Sequence, residues 1–214
     1  MGRKYAIRDQ EAIYFVTFTV VNWIDLFVRE EYKQITIDSL KYCQENKGLN
    51  VHAYCIMTSH IHLILSVNDG GALSDVIRDL KSFTSTKLKN SIRGNDKESR
   101  RECLSVDRQG YFGFLKELER RTKETPVFSF GSSIIIRLSW AQMKWWINDW
   151  ITCLAGKAGI HNNPVEAGFV DDPCAWVWSS CAAYERGAKD KLDLIFIEWH
   201  LSGRSIDGLS CHKH

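Results

Sequence analysis

Residues 51–67 read VHAYCIMTSHIHLILSV. The apolar runs Ile56-Met57 and Leu63-Ile64-Leu65 are those of buried strands, and Thr58-Ser59 between them predicts a turn or bulge, so the stretch reads as a strand pair. His60 and His62 lie two apart on the second strand. Side chains at i and i+2 of a strand leave on one face, with backbones about 7 Å apart, a spacing one metal ion can bridge. Most histidines in apolar strands are satisfied core residues, so a metal site needs support from elsewhere in the chain.

Working outward, residues 12–21 (AIYFVTFTVV) are rich in β-branched and aromatic residues and predict a strand. After a connection at 22–27, a helix is expected from Arg29 to Asn46, with Tyr32, Ile35, Ile37, Leu40 and Tyr42 approximating its apolar stripe. Lys47-Gly48 supplies its stop. Beyond the histidines, Asn68-Asp69-Gly70-Gly71 predicts a turn. Ser74 with Asp75 can cap a helix reaching about Ile92, with Leu73, Val76, Ile77, Leu80, Phe83 and Leu88 on one side. The order strand–helix–strand–strand–helix predicts an α+β, ferredoxin-like split unit, an antiparallel sheet covered by helices on one face.

From Gly94 to Arg121 the chain turns polar and charged, which predicts loop and exposed helix. Further on, residues 160–170 (IHNNPVEAGFV) predict a helix end broken by Pro164. Residues 176–184 (WVWSSCAAY) pack after it, and 192–197 (LDLIFI) form a short closing apolar segment.

The chain has 214 residues, 44% of them hydrophobic and 25% charged, which suits one soluble domain over about 1–200 with a short tail. A net charge of +2 does not by itself prove a nucleic-acid partner, so any basic surface must be local. Seven cysteines without a CxxC pair argue for reduced thiols rather than a disulfide framework or zinc ribbon. No signal peptide opens the chain, and no apolar run reaches the ~18 residues of a membrane span. A soluble, cytoplasmic protein is expected.

The strand YFVTFTVV, the segment AYCIMTSHIHLILSV, the helix LSDVIRDLKSFTS, the run ESRRE, the phrase IHNNPVEAGFV and the following WSS-x-x-x-Y together resemble a REP-associated tyrosine transposase. These are single-strand-DNA transposases of the HUH nuclease superfamily. The resemblance covers roughly residues 3–102 and 160–197. It implies strand cleavage by a tyrosine hydroxyl attacking the scissile phosphate, with a 5′-phosphotyrosine, a free 3′-OH and reversal on rejoining. It also implies a divalent ion held by His60, His62 and Asn163, polarising the phosphate oxygens. With imidazoles in place of carboxylates, Mg²⁺ or Mn²⁺ suits such a site only when substrate phosphate and water complete the shell. Asn163 has a plainer reading as a helix C-cap before Pro164.

The family motif reads tyrosine-Ile-x-x-Asn-Pro-Val, whereas this chain reads Gly159-Ile160-His161-Asn162-Asn163-Pro164-Val165. Glycine has no hydroxyl, so the phosphotyrosine cannot form at position 159. Tyr111 and Tyr184 remain as rescue nucleophiles, although neither matches the motif, and Tyr184 is expected to be a packing residue. The preceding residues 128–153 (FSFGSSIIIRLSWAQMKWWINDWITC) lack helical or strand periodicity and hold four of the eight tryptophans. Codons compatible with them, read from the last base of the Phe128 codon, can spell QFWQQHNHPIELGTNEMVDKRLDYM. The unique Trp and Met codons fit, and the result resembles the missing family segment with its tyrosine. A frameshift over about Phe128–Cys153, beginning as far upstream as Cys103, is therefore expected.

Single strands are held by basic grooves and stacking aromatics. Arg78, Lys81, Lys87, Arg100 and Arg101 are the basic candidates, although a solvated helix face also explains some of them. The resemblance implies single-stranded or hairpin DNA of the palindromic-repeat type as partner, bound by a monomer or a homodimer. A non-catalytic DNA-binding module is the alternative. A metallohydrolase of small phosphates is disfavoured, because no carboxylate stands near His60 and no Gly-rich phosphate loop is present.

Overall fold

The computed structural model describes residues 10, 12–20, 23–68, 70–98 and 159–196, together with the backbone of 136–140. Its centre is an antiparallel sheet of β1 (Tyr14–Val20), β2 (Leu49–Ile56), β3 (His60–Val67) and β4 (Ile136–Trp140), in the order β2-β3-β1-β4. Helix α1 (Glu30–Lys47) joins β1 to β2, and α2 (Leu73–Gly94) follows β3. This is the α+β, ferredoxin-like arrangement expected, with both long helices on one face of the sheet.

Alternation explains the layering. Tyr14, Val16, Phe18 and Val20 of β1 and Ile61, Leu63, Leu65 and Val67 of β3 join Ile37 and Leu40 of α1 and Val76, Leu80 and Leu88 of α2 in one buried core. The register shift between Val51 and Ala53 in β2 lets Val51 and Tyr54, three apart, share that core. Ala53, Cys55, Met57, Ile64 and Ile160 form a second, smaller cluster.

The helices differ in detail from their sequence reading. Gly48 closes α1 in the left-handed conformation at φ 64°, as its Lys-Gly stop predicts, but Tyr42 is exposed rather than part of the stripe. Neither Ser74 nor Asp75 caps α2. Ala72 holds the cap position without a side-chain bond, and Asp75, in the first turn, pairs with Arg78. Phe83 lies on the outer side of α2, stacked on Tyr42 with ring centroids 5.7 Å apart. The end of α2 is tied to the start of α1 by Glu98, whose buried carboxylate accepts from Arg29 Nε and from the Tyr32 hydroxyl, each at 3.0 Å.

Two further differences fall in the second half. Ile136–Trp140 forms a strand on the free edge of β1, inside the stretch that lacks strand periodicity. Its residues Ile-Arg-Leu-Ser-Trp alternate apolar and polar, a short strand signal that the longer stretch hides. Pro164 begins a helix rather than breaking one. A 3₁₀ turn, Ile160–Asn162, leads into the short helix α3 (Asn163–Glu166), with Pro164 in its first turn, where a missing N–H costs nothing. A second 3₁₀ turn (Pro173–Ala175) and α4 (Cys181–Arg186) follow. The closing segment is no strand, but Leu194 bridges Val51 and Ile195 N–H donates to Val51 O at 3.0 Å. Tyr111, Arg100, Arg101 and most of the proposed frameshifted stretch lie outside the described residues. Among the described residues, no helix is long and apolar enough to cross a membrane.

Candidate metal centre

His60 and His62 leave β3 on the face away from α1 and α2, as the two-residue spacing predicts. Their rings stand close, with centroids 4.7 Å apart and planes at 81°. The neighbouring strand completes the floor, because Thr17 lies opposite His62 and Thr19 opposite His60. Thr17 Oγ1 is 3.0 Å from His62 Nδ1, and Phe15 stacks on the same ring at 5.5 Å. When Nδ1–H donates to Thr17, the lone pair lies on Nε2, the arrangement by which outer partners orient ligand histidines.

Nε2 of His62 is buried without a hydrogen-bond partner, one of two such side-chain atoms among the described residues, the other being Thr84 Oγ1 on α2. An orphaned buried imidazole nitrogen is costly and calls for an explanation. Burial first, and the neighbouring His60 second, push the His62 pKa down to about 4, against an opposing influence from the Asn163 side chain. The His60 pKa is lowered by burial as well. Both rings are therefore neutral at pH 7 and can donate lone pairs.

Asn163 reaches this face through a chain of contacts that starts on β2. Ser180 N–H donates to Tyr54 O at 3.0 Å, and Ser180 Oγ accepts from Tyr54 N–H at 3.0 Å. Ser180 Oγ and His161 Nε2 share a hydrogen bond of 2.8 Å, and the neighbouring Ile160 is buried in the smaller cluster. Trp176 Nε1 donates to Ile56 O at 3.0 Å, fixing the same segment to the end of β2. Within the turn, Asn163 Nδ2 donates to Ile160 O at 2.9 Å. The amide nitrogen is thus occupied, and the carboxamide stands near enough to act on the His62 ring without completing a bond to Nε2.

Among the described residues, no group of three or more His, Cys, Asp or Glu gathers anywhere. The polar side chains gathered on this face are two imidazoles and one carboxamide. They fit a divalent ion whose remaining positions are filled from outside, since Nε2 of His62 has the lone pair and lacks a partner.

The remaining candidates lie elsewhere. Arg78, Lys81 and Lys87 are on α2, across the sheet from the imidazoles. Arg78 pairs with Asp75 at 2.7 Å and Asp79 at 3.2 Å, and Lys87 lies over Phe83. Lys81, its pKa lowered by burial, lines a small apolar recess with Phe18, Ile61 and Leu63. Tyr184 donates its hydroxyl to His52 O at 2.6 Å, and burial pushes its pKa up to about 12, which suits a packing residue rather than a nucleophile. Gly159 is buried in extended backbone (φ −78°, ψ 160°), a conformation a tyrosine can also adopt. Sequence reasoning passed over Thr17, which the alternation Phe15-Thr17-Thr19 signals, and His161, which nothing in the sequence marks.

The family model for IS200-like transposases matches residues 11–110. This stretch is thus similar to an IS200-like transposase domain. The matched stretch holds β1, α1, β2, β3 and α2, and so both histidines. A solved structure of a REP-associated tyrosine transposase bound to a REP hairpin has a TM-score of 0.51 at 14% identity, covering 96% of this chain and 97% of that one. The transposase fold thus extends beyond the matched domain. A crystal structure of a candidate transposase from Deinococcus radiodurans R1 has a TM-score of 0.36 at 16% identity, covering 56% of this chain and 96% of that one. No curated protein matches the chain.

Proposed function

We propose that this IS200-like transposase chain binds single-stranded or hairpin DNA and holds a divalent ion, Mg²⁺ or Mn²⁺, between His60, His62 and the Asn163 carboxamide. The observation that carries the reading is the orphaned Nε2 of His62, set beside a second imidazole and a carboxamide on one sheet face. The ion would polarise a bound phosphate and offset charge developing on its oxygens. The protein's own part is positional. Thr17 and Phe15 fix the His62 ring, and the Tyr54–Ser180–His161 chain holds the turn that presents Asn163. The hairpin-bound transposase of similar fold supports a DNA hairpin as the partner.

In the intact reaction a tyrosine oxygen bonds to the scissile phosphorus, and the departing 3′-oxygen takes a proton. Position 159 is glycine, so this chain retains the ion site and fold without the nucleophile. That feature favours a second reading, a non-catalytic binder of the same DNA. The frameshift reading supplies a tyrosine upstream, where the offset string overlaps Ile151–Thr152, and leaves Gly159 itself unchanged.

An adduct gel tests both. This chain, its Gly159→Tyr variant and the reframed protein are each mixed with labelled tailed hairpin, with and without Mg²⁺. The proposal predicts a Mg²⁺-dependent covalent band for the reframed protein and none for the chain as written. A covalent band with the unaltered chain contradicts the site assignment. Salt-sensitive binding by all three without a band from any favours the non-catalytic module.

A further inference from the structure

Trp23 stands beside the candidate centre and is 64% exposed, although tryptophan normally contributes its large area to a core or an interface. Its ring meets His60 edge-on, with centroids 5.4 Å apart and planes at 71°. At φ 54° it is the single non-glycine among the described residues with a positive φ, a region that bulky residues rarely enter. The segment that follows is firmly held. Asp25 Oδ1 accepts from Thr58 Oγ1 at 2.6 Å, Phe27 N–H donates to Thr58 O at 2.7 Å, and Leu26 and Phe27 are buried. The turn that leads into His60 therefore also anchors the strand-to-helix connection that carries Trp23.

A strained residue that keeps an indole in water adds little to the core. Such strain persists where the surroundings over-determine it, and it concentrates at functional sites. An exposed π-face next to a phosphate-binding centre suits a nucleobase, because every base can stack on an aromatic ring. Bases inside a duplex are already stacked on both faces, whereas an unpaired base has a face to offer.

We infer that Trp23 is the stacking platform for an unpaired base of the strand whose phosphate enters the His60–His62 centre. This rests on the proposed DNA-binding function and adds the contact that distinguishes a single strand from a duplex. A protein contact is the competing use of the exposed indole, and it predicts no dependence on unpaired bases.

The test uses the full chain, a labelled hairpin with a single-stranded tail and a blunt hairpin, in Mg²⁺ over a range of salt. Trp23→Ala weakens binding of the tailed hairpin by about 5- to 100-fold, and Trp23→Phe restores most of it. The slope of log affinity against log salt stays unchanged, since no phosphate contact is lost. One abasic position in the tail weakens the unaltered chain by a similar factor and adds nothing to Trp23→Ala. Blunt hairpin binds both alike. Equal tail affinity for Trp23→Ala and the unaltered chain overturns the inference, as does additivity at every abasic position. Weaker Mn²⁺ binding in Trp23→Ala with unchanged tail affinity also overturns it, reducing the ring to packing on His60. If the unaltered chain binds neither hairpin, the proposed function falls with it. Binding by the unaltered chain with an indifferent Trp23→Ala removes this inference alone.

Discussion

The two faces of β3 are built from alternate residues of one strand and do opposite work. Ile61, Leu63 and Leu65 point into the helix-covered core, where they are almost wholly buried among apolar neighbours. His60 and His62 point the other way, towards a partly covered surface where a buried nitrogen has no partner. Closely packed apolar residues stabilise the fold, while polar groups held without partners cost stability and persist at sites that take a ligand. Under the proposed function, the contrast separates stability from ion binding by a single step along the chain.

Breaking the helix-covered face gives the largest effect. Leu63→Ala should cost about 2–5 kcal/mol of stability in urea titration, through lost burial and a residual cavity. Glu98→Gln should cost about 1–3 kcal/mol, because it weakens the charged acceptor between Arg29 and Tyr32 at the junction of the two helices. On the histidine face the balance reverses. His60→Ala should change the stability of the metal-free protein by less than about 1 kcal/mol, and should abolish the rise in Tm that Mn²⁺ with hairpin DNA gives the unaltered chain.

Acid sharpens the comparison with a smaller effect. His52 is hydrogen-bonded to Ile195 O and Ser66 Oγ, and burial lowers its pKa from 6.5, as it does for His60 and His62. A depressed folded pKa means that the unfolded chain takes up protons first as pH falls below 6.5. Stability of the metal-free protein is therefore full above about pH 6.5 and lost as pH falls towards the folded values, about 4 for His62. Denaturation followed from pH 7.5 to 5 should show this fall, and His52→Asn should reduce its slope.

Local patterns made the helix-covered half legible. Alternation in 14–20 and 60–67, the stripe of α1 and the Lys-Gly stop are short-range signals, so the strands, helices and sheet layout could be read before the structure was seen. His60 and His62 were legible for the same reason. What escaped depends on distant contacts. The strand Ile136–Trp140 pairs with the edge of β1, and the hold of Ser180 and His161 on the turn before Asn163 is set by contacts with β2. Pro164 can end one helix or start another, and only the surrounding backbone decides which. The exposure of Tyr42 and Phe83 and the positive φ of Trp23 leave no mark in composition or period.

The most direct test of the central claim is pulsed EPR of Mn²⁺ bound to the unaltered chain with hairpin DNA. Nitrogen couplings from two imidazoles, reduced to one in His60→Ala and in His62→Ala, are the predicted result. A spectrum of Mn²⁺ with oxygen ligands alone, unchanged by either substitution, would contradict the assignment of this sheet face as a metal centre.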